Sequence, residues 1–420
     1  TVNKIAFEQV LDDMDLERER GITIKAHPIR MKYFYKNTEY TLNLIDTPGH
    51  VDFSYEVSRS IAACEGAILL VDASQGIEAQ TLSNLYIALD HNLEIIPAIN
   101  KIDLPSANVE KVRKDLSDLI GVFEEDIFLV SAKEGIGITP LLDAVIERIP
   151  PPPSKFKETR ALIFDSQYNQ YRGVVIYIRV FDGELRKGDK IKFFATDKVY
   201  EIEDIGHFGL KMETGDKLTS GEVGYIIAGV KGVREAKVGD TVTLAENPTT
   251  NPLSGFKNPK PMVFSGIYPM DGAYYNNLRD ALAKFQLNDT SLVYEPENSL
   301  ILGFGFRCGF LGLLHLEIFK ERINREYGIP IISTTPSVEF IVKKRNSEEI
   351  IIDNPSLMPE LGDIEYIKEP IMDCEILVPT EYVGNIMKLA QERRGIQKNL
   401  EYLDEKRVSI HYEFPLIEIL

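Results

Sequence analysis

The sequence predicts a multidomain protein that combines α/β, β and α+β folds, and three patterns lead to that prediction. Residues 40–149 alternate short apolar runs with helical patterns, which indicates a parallel sheet covered by helices and a first domain at 1–150. Residues 158–247 contain β-rich segments separated by turn signals, as a β-barrel does. Residues 260–345 and 366–420 follow the order of ferredoxin-like α+β domains, the second of them incomplete.

Length and composition agree with several independently folded domains. A chain of 420 residues exceeds the size at which one hydrophobic core keeps growing. The net charge of −18 argues against a protein that grips nucleic acid through bulk charge, although local basic patches stay possible. Three cysteines without metal-like spacing are too few for a disulfide framework, so we expect a reducing, intracellular setting. No apolar run reaches membrane-spanning length, and TVNKIAFEQV has no basic flank followed by an apolar core, so we expect neither a membrane span nor a signal peptide.

Four strand patterns define the first domain. They are YTLNLID, GAILLVDAS, LEIIPAIN and IFLVSA, and we expect them in one parallel sheet. Between them, AQTLSNLYIAL and VEKVRKDLSDLI each place apolar residues on one helical face. The last helix should begin at Thr139 and Pro140, a suitable N-cap and N1 pair.

Proline-rich segments separate the later domains. The prolines of IPPPPSKFKE remove backbone donors and fix φ, so this segment is a boundary rather than a helix or central strand. The β domain that follows has turn signals at Asp182-Gly183 and at Lys187-Gly188-Asp189. After the linker ENPTTNPLSGFKNPKP, a first ferredoxin-like unit runs from PMVFSGIYP to a last strand in TTPSVEFIVKK. A second unit begins at PIMDCEILVP and lacks its last helix and strand.

Two loops at strand ends form a candidate site for a purine base. Asp103 can accept two hydrogen bonds from the N1 and exocyclic amino groups of guanine, which adenine cannot supply. Asn100 can meet the acceptor edge of the base, while the stem of Lys101 lies over the ring. Alone, NKID also fits a polar strand-to-helix turn, but SAK ends the next strand and strengthens the prediction. The candidate residues are Asn100, Lys101, Ile102, Asp103, Ser131, Ala132 and Lys133.

A second group of residues suits the phosphate end of a nucleotide. Asp46 ends an apolar strand and would hold Mg²⁺ through a water, while the backbone N–H of Gly49 would reach the γ-phosphate. His50 would orient or polarise the attacking water. Upstream, the hydroxyl of Thr23 could bind Mg²⁺ directly, although a charged segment such as ERERGITI is also typical of a solvated loop.

The motifs LERERGITI, DTPGHVDF, NKID and SAK together resemble those of the translational GTPases, the ribosome-dependent family that includes elongation factors Tu and G. The resemblance implies a P-loop-type GTPase domain that binds GTP or GDP with Mg²⁺. It also implies that Thr23 and Asp46 serve the metal and that His50 is catalytic. In that family an isoleucine at the position of Ile22 forms one side of a hydrophobic gate that controls how the histidine approaches the water.

The phosphate loop of that family is the one motif that the sequence does not contain. Family members carry G-x-x-x-x-G-K-[ST], in which backbone N–H groups and a lysine hold the phosphates. None of the 29 glycines of this chain is followed by lysine. We therefore expect the GTPase domain to be incomplete at its N-terminus, with the phosphate loop preceding Thr1, and this fragment alone to be inactive.

Domain order narrows the resemblance. FGFRCGFLGLLHLEI resembles the third domain of elongation factor G-like proteins, and EPIMDCEILVPTEYVGNIMKLAQERRG resembles their fifth. Only 33 residues separate Pro336 from Pro370, so the tip domain that elongation factor G places between them is absent. A family member of this kind is assigned a role in translational fidelity, through back-translocation of the ribosome. The alternatives are another elongation factor G-like GTPase such as BipA, an adenine-specific ATPase, or a ribosome-binding fragment without catalysis.

The resemblance also implies partners and a location. The implied partners are the ribosome, with its RNA and proteins, and tRNA on the ribosome. The implied protein is a cytoplasmic monomer. Some family members are also described as associating peripherally with the inner face of the cell membrane. One local patch bears on this: Arg393, Arg394 and Lys398 suit either a helix C-terminus or contact with RNA phosphates. By contrast, His315 should be a core residue.

Overall fold

The computed structural model describes residues 14–153, 155–169, 171–230, 235–255, 259–299, 301–346, 348–354, 357–403 and 407–419. The chain divides into two compact units, residues 1–257 and 258–420, and the division falls inside the predicted second linker. Among the described residues, no helix is both long enough and apolar enough to cross a lipid bilayer.

The first unit begins with a helix, a β-hairpin and a helix-covered sheet. Its elements up to the first boundary are α1 (Asp15–Arg20), β1 (His27–Tyr35), β2 (Thr38–Asp46), α2 (Ser54–Ile61), β3 (Gly66–Asp72), α3 (Ala79–Asp90), β4 (Glu94–Asn100), α4 (Val109–Ile120), β5 (Phe128–Leu129) and α5 (Ile138–Arg148). Strands β3, β4 and β5 are parallel and lie in that order. Helix α4 packs Val112 and Leu116 against Val71 and Ile99 of the sheet, as its apolar spacing predicts.

The prediction of four parallel strands in one sheet is wrong for the first of them. Strand β2 pairs antiparallel with β1, with His27 opposite Asp46 and Tyr35 opposite Thr38. The turn between them consists of Lys36 and Asn37, whose φ angles are 46° and 66°. Two successive residues with positive φ reverse a hairpin with the twist that its strands need. Lys-Asn is a weaker signal for this turn than Asn-Gly, so the sequence pattern missed it.

The start of α5 also differs from the prediction by two residues. The N-cap is Gly137, with φ of 73°, and Thr139 and Pro140 therefore lie inside the first turn. Gly137 also passes so close to the strand end that a Cβ built on it would lie 2.1 Å from the Leu129 carbonyl oxygen. This close approach, which only glycine permits, places the helix start. Pro140 is still tolerated, because the first N–H groups of a helix have no intrahelical acceptor.

The rest of the first unit is an antiparallel β domain. Its strands are β6 (Arg160–Asn169), β7 (Gly173–Asp182), β8 (Glu184–Arg186), β9 (Lys190–Phe193), β10 (Val199–Glu201), β11 (Asp204–Phe208), β12 (Met212–Thr214), β13 (Lys217–Thr219), β14 (Val223–Ile227) and β15 (Thr241–Leu244). Eight of them form a sheet in the order β10-β9-β15-β6-β7-β14-β11-β12, and β13 pairs with β8. Gly183 and Gly188 lie in the two predicted turns and have φ angles of 73° and 88°. Closure of this sheet into a barrel stays a prediction.

The second unit begins with the split βαβ arrangement. Its elements are β16 (Val263–Pro269), α6 (Tyr275–Asn288), β17 (Val293–Ser299), β18 (Gly303–Phe310), α7 (Leu313–Tyr327) and β19 (Ile331–Ser333). The antiparallel sheet has the order β17-β18-β16-β19, which is the ferredoxin-like order. His315 is 2% exposed and contacts Asp289 at 3.0 Å, which confirms it as a core residue.

The last strand of this sheet was predicted in the wrong place. It is Ile331–Ser333, which pairs with β16, while the predicted segment TTPSVEFIVKK contributes Phe340–Lys344 to another sheet. That sheet is β20 (Phe340–Lys344), β21 (Glu349–Ile352) and β22 (Ile364–Lys368), in the order β21-β20-β22. A three-residue strand offers almost no periodicity, so the longer apolar run beyond it attracted the prediction.

The remaining elements follow the order predicted for the second ferredoxin-like domain. They are β23 (Ile371–Pro379), α8 (Val383–Glu392), β24 (Ile396–Tyr402), β25 (Arg407–Pro415) and α9 (Leu416–Ile419), and the sheet has the order β23-β25-β24.

The predicted basic patch of this domain forms ion pairs with acidic residues of the same chain. Arg394 lies 2.7 Å from Glu369 and 3.0 Å from Glu418, and Lys398 lies 2.7 Å from Glu413. These contacts favour a local structural role over a surface prepared for RNA phosphates.

Candidate functional site

The NKID and SAK loops lie together at the carboxyl edge of the parallel sheet. Strand β4 ends at Asn100, whose side-chain oxygen accepts a hydrogen bond from the Ala132 N–H at 3.0 Å. In the other direction, the Ser131 hydroxyl donates to Asp103 at 2.6 Å. Two side-chain hydrogen bonds therefore fix one loop against the other. The arrangement follows from parallel pairing, which brings the ends of β4 and β5 to the same edge.

At this edge of the sheet, the carboxylate of Asp103 is the group that can recognise a base. Its carboxylate is exposed, while Ser131 beneath it is fully buried. The pKa of Asp103 is lowered, first by the hydrogen bond from Ser131 and further by the charge of Lys133. A carboxylate that stays ionised and faces outward suits two adjacent N–H donors, as guanine presents them.

Sequence reasoning missed Asp72, which holds the NKID loop in shape. Lys101 has φ of 62°, and its ammonium lies 2.8 Å from the Asp72 carboxylate. Asp72 also accepts hydrogen bonds from the N–H and the hydroxyl of Ser74. Burial alone would raise the pKa of Asp72, but the hydrogen bonds from Lys101 and Ser74 outweigh it and lower that pKa to about 2. Its position was visible in the sequence, because Asp72 also ends a strand of the same sheet.

The predicted phosphate-end residues lie in one turn after β2. Asp46 ends that strand and is half-buried, Pro48 is buried, and Gly49 directly after it is exposed. A Cβ built on Gly49 would meet nothing within 4 Å, and its φ is not in the left-handed region. Packing within the described chain therefore gives no reason for glycine at this position.

His50 caps the short 3-10 turn Val51–Phe53. Its Nδ1 accepts a hydrogen bond from the Asp52 N–H at 3.2 Å, and about a third of the side chain is exposed. With Nδ1 used as an acceptor, the proton of a neutral imidazole lies on Nε2. The ring therefore presents a hydrogen-bond donor rather than a base at its outer nitrogen, which suits orienting a water or a phosphate oxygen.

Thr23 and Ile22 lie between α1 and β1 and are half-buried. This segment is not a solvated loop, because Glu17 of α1 is fully buried and accepts hydrogen bonds from the N–H groups of Ile24 and Lys25. The sequence pattern, a run of alternating charges, gave no sign that one of its members is buried.

The predicted donors for Mg²⁺ fit that ion in type, since both supply oxygen. The described residues contain no cluster of three or more His, Cys, Asp and Glu side chains that could hold a metal ion. A Mg²⁺ held by Thr23 and Asp46 would therefore need most of its ligands from water and from nucleotide phosphates, which is how this ion is usually held.

Comparison with known proteins identifies three domain families in the chain. Residues 1–151 match the family described as Elongation factor Tu GTP binding domain, residues 173–243 match Elongation factor Tu domain 2, and residues 366–420 match Elongation factor G C-terminus. A solved structure from Thermus thermophilus shares the fold, with a TM-score of 0.67 and 16% identity over 98% of this chain and 87% of that one. The matched families thus define a translational GTPase.

Close relatives identify the particular family. The chain is 58% identical to Elongation factor 4 of Pelodictyon phaeoclathratiforme over 99% of its own length and 69% of the relative's. It is 57% identical to Elongation factor 4 of Chlorobaculum tepidum over 100% and 69%. The chain belongs to the elongation factor 4 family, whose members are ribosome-dependent GTP hydrolases acting as translation factors.

Proposed function

We propose that this chain recognises guanine through the joined NKID and SAK loops and promotes GTP hydrolysis through the turn that carries Asp46, Gly49 and His50. The observation that carries the proposal is the pair of hydrogen bonds that hold Asn100 to Ala132 and Asp103 to Ser131. They hold the two loops in one relative position. Lys101, Ile102 and Lys133 complete its walls.

At the phosphate end, each residue has a separate role. The Gly49 N–H donates to the γ-phosphate, and the open space where a Cβ would stand lets that oxygen approach the backbone. His50 donates from Nε2 and orients the attacking water in line with the bond to be broken. Asp46 and Thr23 would hold Mg²⁺, which when bound offsets the charge of the phosphates.

The phosphate loop belongs to the complete protein in this proposal. The motif G-x-x-x-x-G-K-[ST] does not occur in these 420 residues, which span about 69% of the length of the curated relatives. We propose that the complete protein supplies this loop outside these 420 residues. Mg²⁺ binding, contact with tRNA and a monomeric state belong to the same proposal, as does peripheral association with the membrane.

GTP turnover by the complete protein tests this proposal. We expect hydrolysis of GTP that ribosomes accelerate, and no comparable hydrolysis of ATP. Absence of GTP binding by the complete protein, or a rate that ribosomes leave unchanged, would contradict it.

The cellular role needs a separate measurement. We propose that the protein promotes back-translocation, and toeprinting of ribosomes stalled after translocation detects this as a one-codon backward shift that requires GTP. A forward shift would favour an elongation factor G-like role instead. The relatives' name, Elongation factor 4, favours a factor of that kind over a BipA-like factor.

A further inference from the structure

Glu17 is a charged residue in a buried position, and its burial needs a specific explanation. Its side chain is 0% exposed, although the segment around it, DLERER, is a run of charges. A carboxylate removed from water is costly unless hydrogen bonds compensate it. Burial would by itself raise the pKa of Glu17, but the hydrogen bonds described next outweigh it and lower that pKa.

The carboxylate of Glu17 accepts hydrogen bonds from backbone N–H groups on both sides of α1. Oε1 accepts from the N–H of Ile24 at 2.9 Å and from that of Lys25 at 3.1 Å. Oε2 accepts from the N–H of Met14 at 3.1 Å. The backbone carbonyl of Glu17 accepts from Ile22 at 3.2 Å and also from Gly21, which ends the helix in the left-handed conformation.

Thr23 is the residue enclosed by these contacts. The residue before it, Ile22, is held by the main chain of Glu17, and the residue after it, Ile24, by the side chain. Ile24 is 5% exposed, so the backbone at this point is also anchored by packing. Glu17, six residues earlier, therefore anchors the backbone on both sides of Thr23.

The same carboxylate is connected to the strand that carries Asp46. The Nε2 atom of His27 lies 3.4 Å from Oε1 of Glu17, and His27 pairs with Asp46 in the β1–β2 hairpin. One residue thus links the two segments from which the predicted Mg²⁺ donors come.

We propose that Glu17 is a positioning residue of the GTPase site: it fixes the segment 22–25 so that the Thr23 hydroxyl stands at a set place relative to Asp46. The inference rests on the proposed function of Thr23 and Asp46. Glu17 itself touches neither nucleotide nor water in this account. Glu17 acts on the geometry from which hydrolysis starts, and reaction rates are sensitive to that geometry.

The test compares Glu17→Gln and Glu17→Ala with the control Glu19→Ala in the complete protein. Glu19 is the same residue type on the same helix but is exposed. Three measurements are made: the kinetics of ribosome-stimulated GTP hydrolysis (kcat and KM), the affinity for GDP, and hydrogen exchange at the amides of Ile24 and Lys25. We expect both Glu17 variants to lose amide protection and to lose about 10- to 100-fold in kcat, with GDP affinity unchanged and Glu19→Ala like the wild type.

The outcomes separate this inference from the proposed function. If wild-type protein is not stimulated by ribosomes, the proposed function fails, while amide exchange still tests whether Glu17 holds the segment. If Glu17→Gln keeps the protection of both amides, or loses it and keeps the wild-type kcat, the positioning role is wrong. Glu17→Gln decides the matter if Glu17→Ala does not fold, because glutamine nearly preserves the shape of the side chain.

Discussion

The Arg59 guanidinium of α2 lies 3.4 Å from the Asp165 carboxylate of β6, measured from Nη1 to Oδ1. Arg59 also pairs with Glu56 on its own helix, and its side chain is 3% exposed. Helix α2 directly follows the turn that carries His50, so this buried cluster joins the helix after that turn to the β domain within the first unit. Removing the cation leaves two carboxylates without their compensating charge.

We therefore expect Arg59→Ala to lower the free energy of unfolding by roughly 3–5 kcal/mol, as loss of one partner from a buried ion pair does. The control is Arg186→Ala, which breaks an exposed pair with Glu184 in the β domain and should have a much smaller effect, because water screens that pair. Urea unfolding of both variants measures the difference. Equal effects of the two substitutions would mean that the Arg59 cluster does not stabilise the unit.

Base selectivity should depend on Asp103. Xanthine has a carbonyl where guanine has its exocyclic amino group, so Asp103→Asn should weaken GTP binding and favour xanthosine nucleotides. Because hydrogen bonds to a charged group are stronger than neutral ones, the affinity for GTP should fall at least about 100-fold. Competition between the two nucleotides measures this, with the exposed helix residue in Asp118→Asn as the control. An unchanged preference would mean that Asp103 does not read the base.

Acid stability should depend on Asp72. The pKa of Asp72 is about 2 in the folded chain, against an ordinary value of 3.8. Because the folded state holds the proton less tightly, the contribution of Asp72 is complete above pH 3.8 and is lost as the pH falls toward 2. Asp72→Asn should make the unfolding free energy decrease less steeply with falling pH over that range. Lys101→Met should have a similar, smaller effect. Unfolding in urea at several pH values measures this, and a profile that neither change alters would contradict it.

Substitution of Gly49 should affect GTP hydrolysis but not the stability of the fold. A methyl group at this position meets no atom of the described chain, so Gly49→Ala should change the unfolding free energy by no more than about 0.5 kcal/mol. It should nonetheless slow GTP hydrolysis, because the Cβ occupies the space that the γ-phosphate needs. Gly272→Ala, at another open glycine, serves as the control and should leave hydrolysis unchanged. Full activity of Gly49→Ala would remove this residue from the site.

Local patterns predicted some elements well. Helices α3 and α4 have long amphipathic patterns, and α4 also has an N-cap at Asn108 and a left-handed C-cap at Gly121, so its limits were predictable. The meeting of the NKID and SAK loops was predictable because parallel strands bring their carboxyl ends to one edge. Each of these features depends on a few neighbouring residues or on a simple rule of topology.

Other features depend on contacts that a pattern does not contain. The hairpin β1–β2 depends on a turn at Lys36 and Asn37 with positive φ, and the pairing of Ile331–Ser333 depends on the docking of a very short strand against β16. The burial of Glu17 among backbone donors follows from the course of the chain after α1, although most of the charged residues beside it in sequence are exposed. Such residues become identifiable only when their partners are in place.

The most direct test of the account is the rate of ribosome-stimulated GTP hydrolysis by the complete protein with His50→Ala. We predict a loss of about 10²- to 10³-fold in kcat, the range for removal of one preorganised hydrogen-bond donor from a reacting centre. GTP affinity should stay close to that of the wild type, because the base site at Asp103 and Ser131 is unchanged. A variant that hydrolyses GTP on ribosomes at the wild-type rate would contradict the assignment of this turn as the hydrolytic centre.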